Sequence, residues 1–308
     1  MTRVKRRETL AIATAYWKPG QDYVDSVVSV LEDRLCGGDV VVISEKAVST
    51  ASGNVVDESL VRPSWTARFL ARFWVRRVWA YVLGPLCHLR RTMISNLRSY
   101  PVREGSAHKQ VALQYSGFLQ ALMHGSEGGI DGSNLPYSYV SLPLENAFRA
   151  AETVRKAIEA RLGEKVLVMI VDTDKTYSWR NFHFTPRPKP VRGIKPLRGV
   201  VPFVVGRFFK LKKRATPLAV AGAEISVERA LEIAETANRA RGFGAGRNVW
   251  DMARTFGVPL TAVSWEMLEK IEHKPIVVVR LEGQAAGMGR KLSCENASSQ
   301  SQYSEMAI

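Results

Sequence analysis

The stretch PLENAFRAAETVRKAIEARLGEKVLVMIVDTD, residues 143–174, decides the fold of this chain. Its first part places Ala147, Ala151, Val154 and Ile158 at helical spacing, and Gly163 is suited to cap the helix C-terminus. The next segment, Val166 to Val171, is apolar at every position. A run that short and apolar on both sides reads as a strand covered on both faces. The pattern recurs outward. PGQDYVDSVVSVLEDRL (19–35) is an amphipathic helix, and Val40 to Ile43 form a second buried strand. SVERALEIAETANRARG (226–242) is a helix with Ser226 as N-cap, and PIVVVRL (275–281) is another buried strand. Helices alternating with apolar strands predict a mixed α/β (α+β) protein with well-covered sheets.

The spacing predicts a largely helical region from Pro63 to Leu97, interrupted at Gly84-Pro85. Residues 104–129 read as a basic turn with a β-leaning segment, and YSYVSLP (137–143) alternates like a strand. A helix pair is expected between GFGAG (242–246) and Glu272. We expect one domain over residues 1–282, with helical insertions at about 65–100 and 243–272. The polar tail, 283–308, is expected to be disordered.

The apolar content of 46% is enough for a proper core. Cys36, Cys87 and Cys294 form no CxxC pair and no even framework, which suits a reducing cytosol. The segment from Phe69, FLARFWVRRVWAYVLGPLCHL, is long enough to span a bilayer. It carries Arg72, Arg76 and Arg77, each costing roughly 2.5–3.5 kcal/mol there. A buried or surface-docked helix is the better reading, with a membrane-surface helix as the alternative. No transmembrane segment is expected, and the location is expected to be cytoplasmic.

The net charge is +15, and no acid occurs from Lys175 to Ala223. Such a run points to an anionic partner: nucleotide phosphates, another polyanion, nucleic acid or acidic lipid. Its structural alternative is a solvated basic face.

A strand followed by Asp172, Thr173 and Asp174 suggests chemistry, because ligands gather at the carboxyl ends of strands in α/β sheets. Asp172 and Thr173 are oxygen donors of the kind Mg²⁺ and Mn²⁺ prefer. SEGGIDGSNLP (126–136) could bring a second carboxylate, Asp131, its glycines letting backbone approach a phosphate or metal. Equally, Asp131 or Asn134 could cap its own backbone in an Asx turn. Arg180 could clamp a phosphoryl or carboxylate group with its planar fork, or pack on Trp179. Lys46 and Ser49, read as the start of a loop, could contact phosphate. GFGAGR (242–247) lacks the preceding strand that a dinucleotide fingerprint needs. His108 and His183 read as ordinary polar residues.

Three pieces carry a resemblance: the helix, strand and Lys46-bearing segment over 19–53, GGIDGSNLP, and VDTDKTYSWRN. Together with ALEIAETAN and PIVVVR, they resemble the coenzyme F420-0:L-glutamate ligase (gamma-glutamyl ligase) family over roughly residues 10–282, as a divergent archaeal-type member. The resemblance implies an intertwined two-subdomain fold and a homodimer. It implies a GTP-dependent ligase that adds L-glutamate to a carboxylate of a phosphate-bearing deazaflavin through an acyl phosphate. It further implies that Asp131, Asp172 and Thr173 hold Mg²⁺ or Mn²⁺. Lys46 and Arg180 would be catalytic, while Ser49, Ser133, Asn134 and Gly129 would face GTP or substrate.

The departures are specific. Ser49-Thr50-Ala51-Ser52-Gly53 stands where the family has Ser-Lys-Ala-Glu-Gly. Phe208 stands where an acid near the metals is expected, with Glu224 as the candidate replacement. A relative with a redirected acceptor, or a non-catalytic one binding a nucleotide, RNA or DNA through residues 175–223, would carry the same residues.

Overall fold

The computed structural model describes residues 8–280. The expected disorder of 283–308 therefore lies outside the described residues. Strand β1 (Thr9–Thr14) leads to α1 (Tyr23–Leu31), β2 (Val40–Ser44), α2 (Glu45–Ala51) and β3 (Val55–Asp57). A helical region comes next: α3 (Trp65–Phe69), a π-helical stretch (Leu70–Leu83), α4 (Gly84–Leu86), α5 (Arg91–Arg98), α6 (Val102–Tyr115) and α7 (Phe118–Ala121). Then come β4 (Tyr139–Ser141), α8 (Ala147–Leu162), β5 (Leu167–Trp179), β6 (Phe182–Thr185), β7 (Ile194–Pro196), α9 (Val201–Phe208) and β8 (Lys212–Ala221). The described chain closes with α10 (Val227–Arg241), α11 (Val249–Phe256), α12 (Trp265–Leu268) and β9 (His273–Val279).

The main sheet runs β1-β9-β2-β5-β6-β7, with β8 also paired to β5. Among the described strands, only β2–β5 and β6–β7 are parallel. Alternation along the central strands sorts two cores. Val41, Ile43, Val168 and Ile170 point to the side covered by α1, α2 and α8. Val40, Val42, Met169 and Val171 point to α10, through Ala230, Ile233, Ala234 and Ala237. The fold is thus mixed α/β with the sheet covered on both faces. Helix α8 starts on Asn146, whose side chain accepts from Arg149 N, and stops at Gly163 with φ 71°. It buries Ala150, Ala151, Val154 and Ile158. Truncating Ile158 to Ala would cost about 2–5 kcal/mol.

The helical region packs beside one end of the sheet. Its π-helical stretch buries Leu70, Ala71, Val75, Trp79 and Ala80, so the segment from Phe69 is part of a core. Among the described residues, no helix is long and apolar enough to cross a membrane. The helix continues through Gly84-Pro85 rather than breaking there, because Pro85 sits at the first turn of α4, where its missing N–H is not needed. The segment expected to lean β is the helix α6. Val111 and Ala112 face the core there, and tertiary packing outweighs local preference. Cys87 is a buried free thiol.

Candidate active site

The parallel pair β2–β5 ends at Ser44 opposite Val171. Beyond it, β2 turns directly into α2, so Lys46 and Ser49 are helical rather than on a loop. Strand β5 does not end there either. It bulges between Asp172 and Lys175 and continues to Trp179, because β8 and β6 go on pairing with it. A bulge re-aims side chains. Here it leaves Asp172, Thr173 and Asp174 beside the end of the parallel pair, half-buried and facing residues 126–136.

Asp131 makes the Asx turn and still brings its carboxylate to the cavity described below. It accepts from Ser133 N at 2.7 Å and from Ser133 Oγ at 3.1 Å. It also meets Lys46 Nζ at 2.5 Å, and Lys46 donates to Ser133 O and Oγ as well. The glycines serve another purpose than approach to phosphate. Gly129 has φ 104°, and a Cβ there would overlap the guanidinium of Arg187. That arginine is buried and donates through Nε to Asp172 at 2.7 Å, and through its two terminal nitrogens to Gly128 O and Glu45. Glu45 also accepts from Leu144 N at 2.9 Å.

Asp131 thus pairs with Lys46, and Glu45 and Asp172 share Arg187, with Asp174 and Arg241 close by. Burial pushes the Asp131 carboxyl up, but the Lys46 ammonium and the Ser133 donors outweigh it, leaving it below its ordinary value. Burial raises Glu45 to about 7 despite Arg187, with the Asp172 charge adding to the rise. Burial and Asp172 together hold the Asp174 carboxyl well above its usual range. Arg241 faces Asp172 and Asp131, which oppose the lowering that burial imposes on it.

These groups line or adjoin a cavity of about 1060 Å³. That volume lies at the upper end for small-molecule sites, enough for two substrates side by side. Its walls come from the helical region, through Arg90, Tyr100 and His108, and from the loop 242–246. Asn134 holds that loop, accepting from Ala245 N at 2.7 Å and donating to Gly246 O at 3.0 Å. In the wall from the helical region, His108 sits between Glu58 (2.6 Å) and the buried Glu127 (3.0 Å), and Lys109 reaches Glu127 at 2.5 Å. Glu127 is held at about 2 because Lys109 and His108 override its burial.

The structure brings Lys46, Asp131, Ser133, Asn134 and Thr173 to one cavity, with Asp172 joined through Arg187. It does not bring the rest. Gly129 stands behind Arg187. Ser49 is buried and donates to Leu142 O while accepting from Asn54, so it fixes the α2–β3 turn. Arg180 is exposed at the β5–β6 turn with φ 50°, its guanidinium 5.9 Å from the Trp179 ring, which is the packing alternative. Glu224 is exposed in the β8–α10 turn and does not line the cavity, and the further carboxylate at the site is Asp174. Glu45, Arg187 and Arg241 escaped the sequence reading. The one signal for them was an acid, Glu45, directly after a buried strand.

The acid-free run from Lys175 finds its acids in the fold. Lys175 pairs with Glu235, Arg187 with Glu45 and Asp172, and Lys212 and Arg214 with Glu228. Four of its twelve cations are therefore paired within the fold, while Arg180, Lys189, Arg192, Lys195, Arg198 and Lys210 remain exposed.

The donor chemistry fits a hard divalent cation. Asp131, Asp172, Asp174 and Thr173 offer only oxygen, and Asp174 Oδ2 is buried without a hydrogen-bond partner. Among the described residues, no three His, Cys, Asp or Glu side chains are gathered tightly enough to hold an ion unaided. Water and substrate phosphate would have to complete its shell, as is usual for Mg²⁺.

A model of the F420-0:gamma-glutamyl ligase family matches residues 11–235. An uncharacterized protein of Methanocaldococcus jannaschii is 36% identical over 283 residues, spanning 88% of this chain and 95% of its own.

Proposed function

The chain belongs to the F420-0:gamma-glutamyl ligase family, and from that premise we propose that it joins the amine of L-glutamate to a carboxylate of coenzyme F420 or a related acceptor. GTP is the proposed co-substrate, Mg²⁺ or Mn²⁺ the metal, and a homodimer the assembly. The observation that carries the reading is that Asp131, Thr173 and Asp174 line one large cavity together with Lys46 and Arg241, with Asp172 next to Thr173 in the chain.

In the reaction, an acceptor carboxylate oxygen takes the γ-phosphoryl group and GDP leaves. The glutamate nitrogen then attacks the acyl carbon, the C–O bond to phosphate breaks, and the amine loses a proton. Asp131, Asp172 and Thr173 would hold the metal, which supplies neutralisation of the triphosphate. Lys46 and Arg241 bring positive charge to the transferring phosphoryl group. Asp174 Oδ2, buried at the cavity without a hydrogen-bond partner, is the oxygen placed to take the amine proton.

The test is a thermal-shift titration with GTP and ATP, with and without Mn²⁺, on the wild type and on Asp172→Asn. A metal-dependent rise with one nucleotide, absent from the variant, is expected. No rise with either nucleotide in the wild type overturns the reading. Sedimentation velocity checks the dimer.

A further inference from the structure

Between Glu58 and Glu104 the chain carries nine arginines and no lysine or acid. The helix formed by α3 and the π-helical stretch, residues 65–83, runs through this segment. One side of it belongs to the core, through Ala67, Leu70, Ala71, Val75 and Trp79. The opposite side is exposed and alternates rings with guanidinium groups: Trp65, Arg68, Phe69, Arg72, Phe73 and Arg77. Farther along the helix, Tyr81 is exposed and Arg98 of α5 lies over its ring at 4.6 Å. Among the described residues, no salt bridge reaches Arg62, Arg68, Arg72 or Arg77. A helix face turned to water ordinarily carries polar residues of both signs.

The rings form a ladder. Trp65 stacks on Phe69 at 5.6 Å with 18° between their planes, and Phe69 on Phe73 at 5.3 Å with 23°. Trp65 is 78% exposed and Phe73 49%. Phe69 is covered on both faces by its neighbours. The ladder therefore leaves no slot for a nucleobase between its rings and turns apolar edges outward. Tryptophan and phenylalanine with arginine on one helix face is the composition of helices that lie in the plane of a bilayer. The planar forks suit the phosphates of lipid headgroups, and the acid-free charge complements an anionic surface. A second copy of the chain is the poorer occupant. A two-fold interface sets the same patch against itself, so guanidinium groups would face one another with no acid of the segment between them.

We propose that this face docks the protein on an anionic lipid surface. The helix lies along the headgroups, with the ladder at the headgroup–acyl boundary and Arg62, Arg68, Arg72 and Arg77 on lipid phosphates. It does not cross the bilayer, since no described helix is long and apolar enough. The docking requires nothing of the ligase chemistry.

The experiment is co-sedimentation of the full chain with vesicles of phosphatidylcholine, alone or mixed equally with phosphatidylglycerol. The mixed vesicles should carry the protein down, and pure phosphatidylcholine should not. Trp65→Ser/Phe69→Ser and Arg68→Gln/Arg72→Gln should each weaken binding about tenfold or more while melting cooperatively. Arg180→Gln/Arg192→Gln removes the same charge from other exposed turns and should bind as wild type does. Lipid brominated on its acyl chains should quench tryptophan fluorescence, and Trp65→Phe should lose most of that quenching. Binding that is absent from the mixed vesicles, or equal in all variants, overturns the proposal. So does an equal loss in Arg180→Gln/Arg192→Gln, because net charge alone then accounts for the binding. A single-stranded RNA that binds where vesicles do not, or a dimer that Trp65→Ser/Phe69→Ser takes apart in sedimentation velocity, assigns the face to another partner and overturns it as well.

Discussion

Arg187→Met isolates the charge that holds the site together. The variant keeps most of the side-chain volume but leaves Glu45 and Asp172 without their shared guanidinium, and Gly128 O without its donor. Removing one partner of a buried ion pair costs about 3–5 kcal/mol, a large share of a typical stability of roughly 5–15 kcal/mol. The loss should depend on pH, and its sign follows from Glu45. Folded Glu45 sits at about 7 against an ordinary 4.5. Between those values the folded chain keeps a proton that the unfolded chain releases. Its stability contribution is therefore full below the lower value and is lost as pH rises through the higher one. Without Arg187, the carboxyl moves further up and that decline extends past pH 7. Chemical denaturation at pH 6 and pH 8.5 should show a larger wild-type-to-variant gap at pH 8.5. A gap independent of pH, or one below about 1 kcal/mol, refutes the account of the cluster.

Glu127→Gln should destabilise by about 3–5 kcal/mol at pH 7, since Lys109 and His108 lose their buried anion. Glu127 is depressed to about 2, so its contribution is present above its ordinary value and fades only as pH falls toward 2; melting curves at pH 7 and pH 3 check this. Asn134→Ala removes hydrogen bonds to the 242–246 loop, each worth about 1 kcal/mol. Proteolysis at that loop should quicken and KM should rise more than kcat falls. Arg180→Ala should leave stability within about 0.5 kcal/mol and turnover near wild type, because its side chain is exposed at a hairpin turn.

Periodicity made the sheet and its covering helices legible. Val40–Ile43 and Val166–Val171 are apolar on both faces because both faces are buried, and that is a local property of the chain. Helix α6 was hidden because its apolar residues face a partner supplied from far away in sequence. At the site, Asp131, Lys46 and Asp172 were visible as chemistry. Arg187 was not, because its importance depends on Glu45, which lies 142 positions away in sequence. The internal partners of Lys175, Lys212 and Arg214 were hidden for the same reason. A charge reads as unpaired in sequence until the fold delivers its partner.

Strand β5 is one strand of 13 residues, and it carries the carboxylates at its bulge while its two ends remain paired. The floor of the cavity therefore belongs to the most deeply anchored part of the molecule. The walls come from elsewhere, from short helices and a loop latched by Asn134. Mutation can redraw those walls without disturbing the floor. Over evolutionary time, a chain organised in this way can change its choice of acceptor and keep its chemistry.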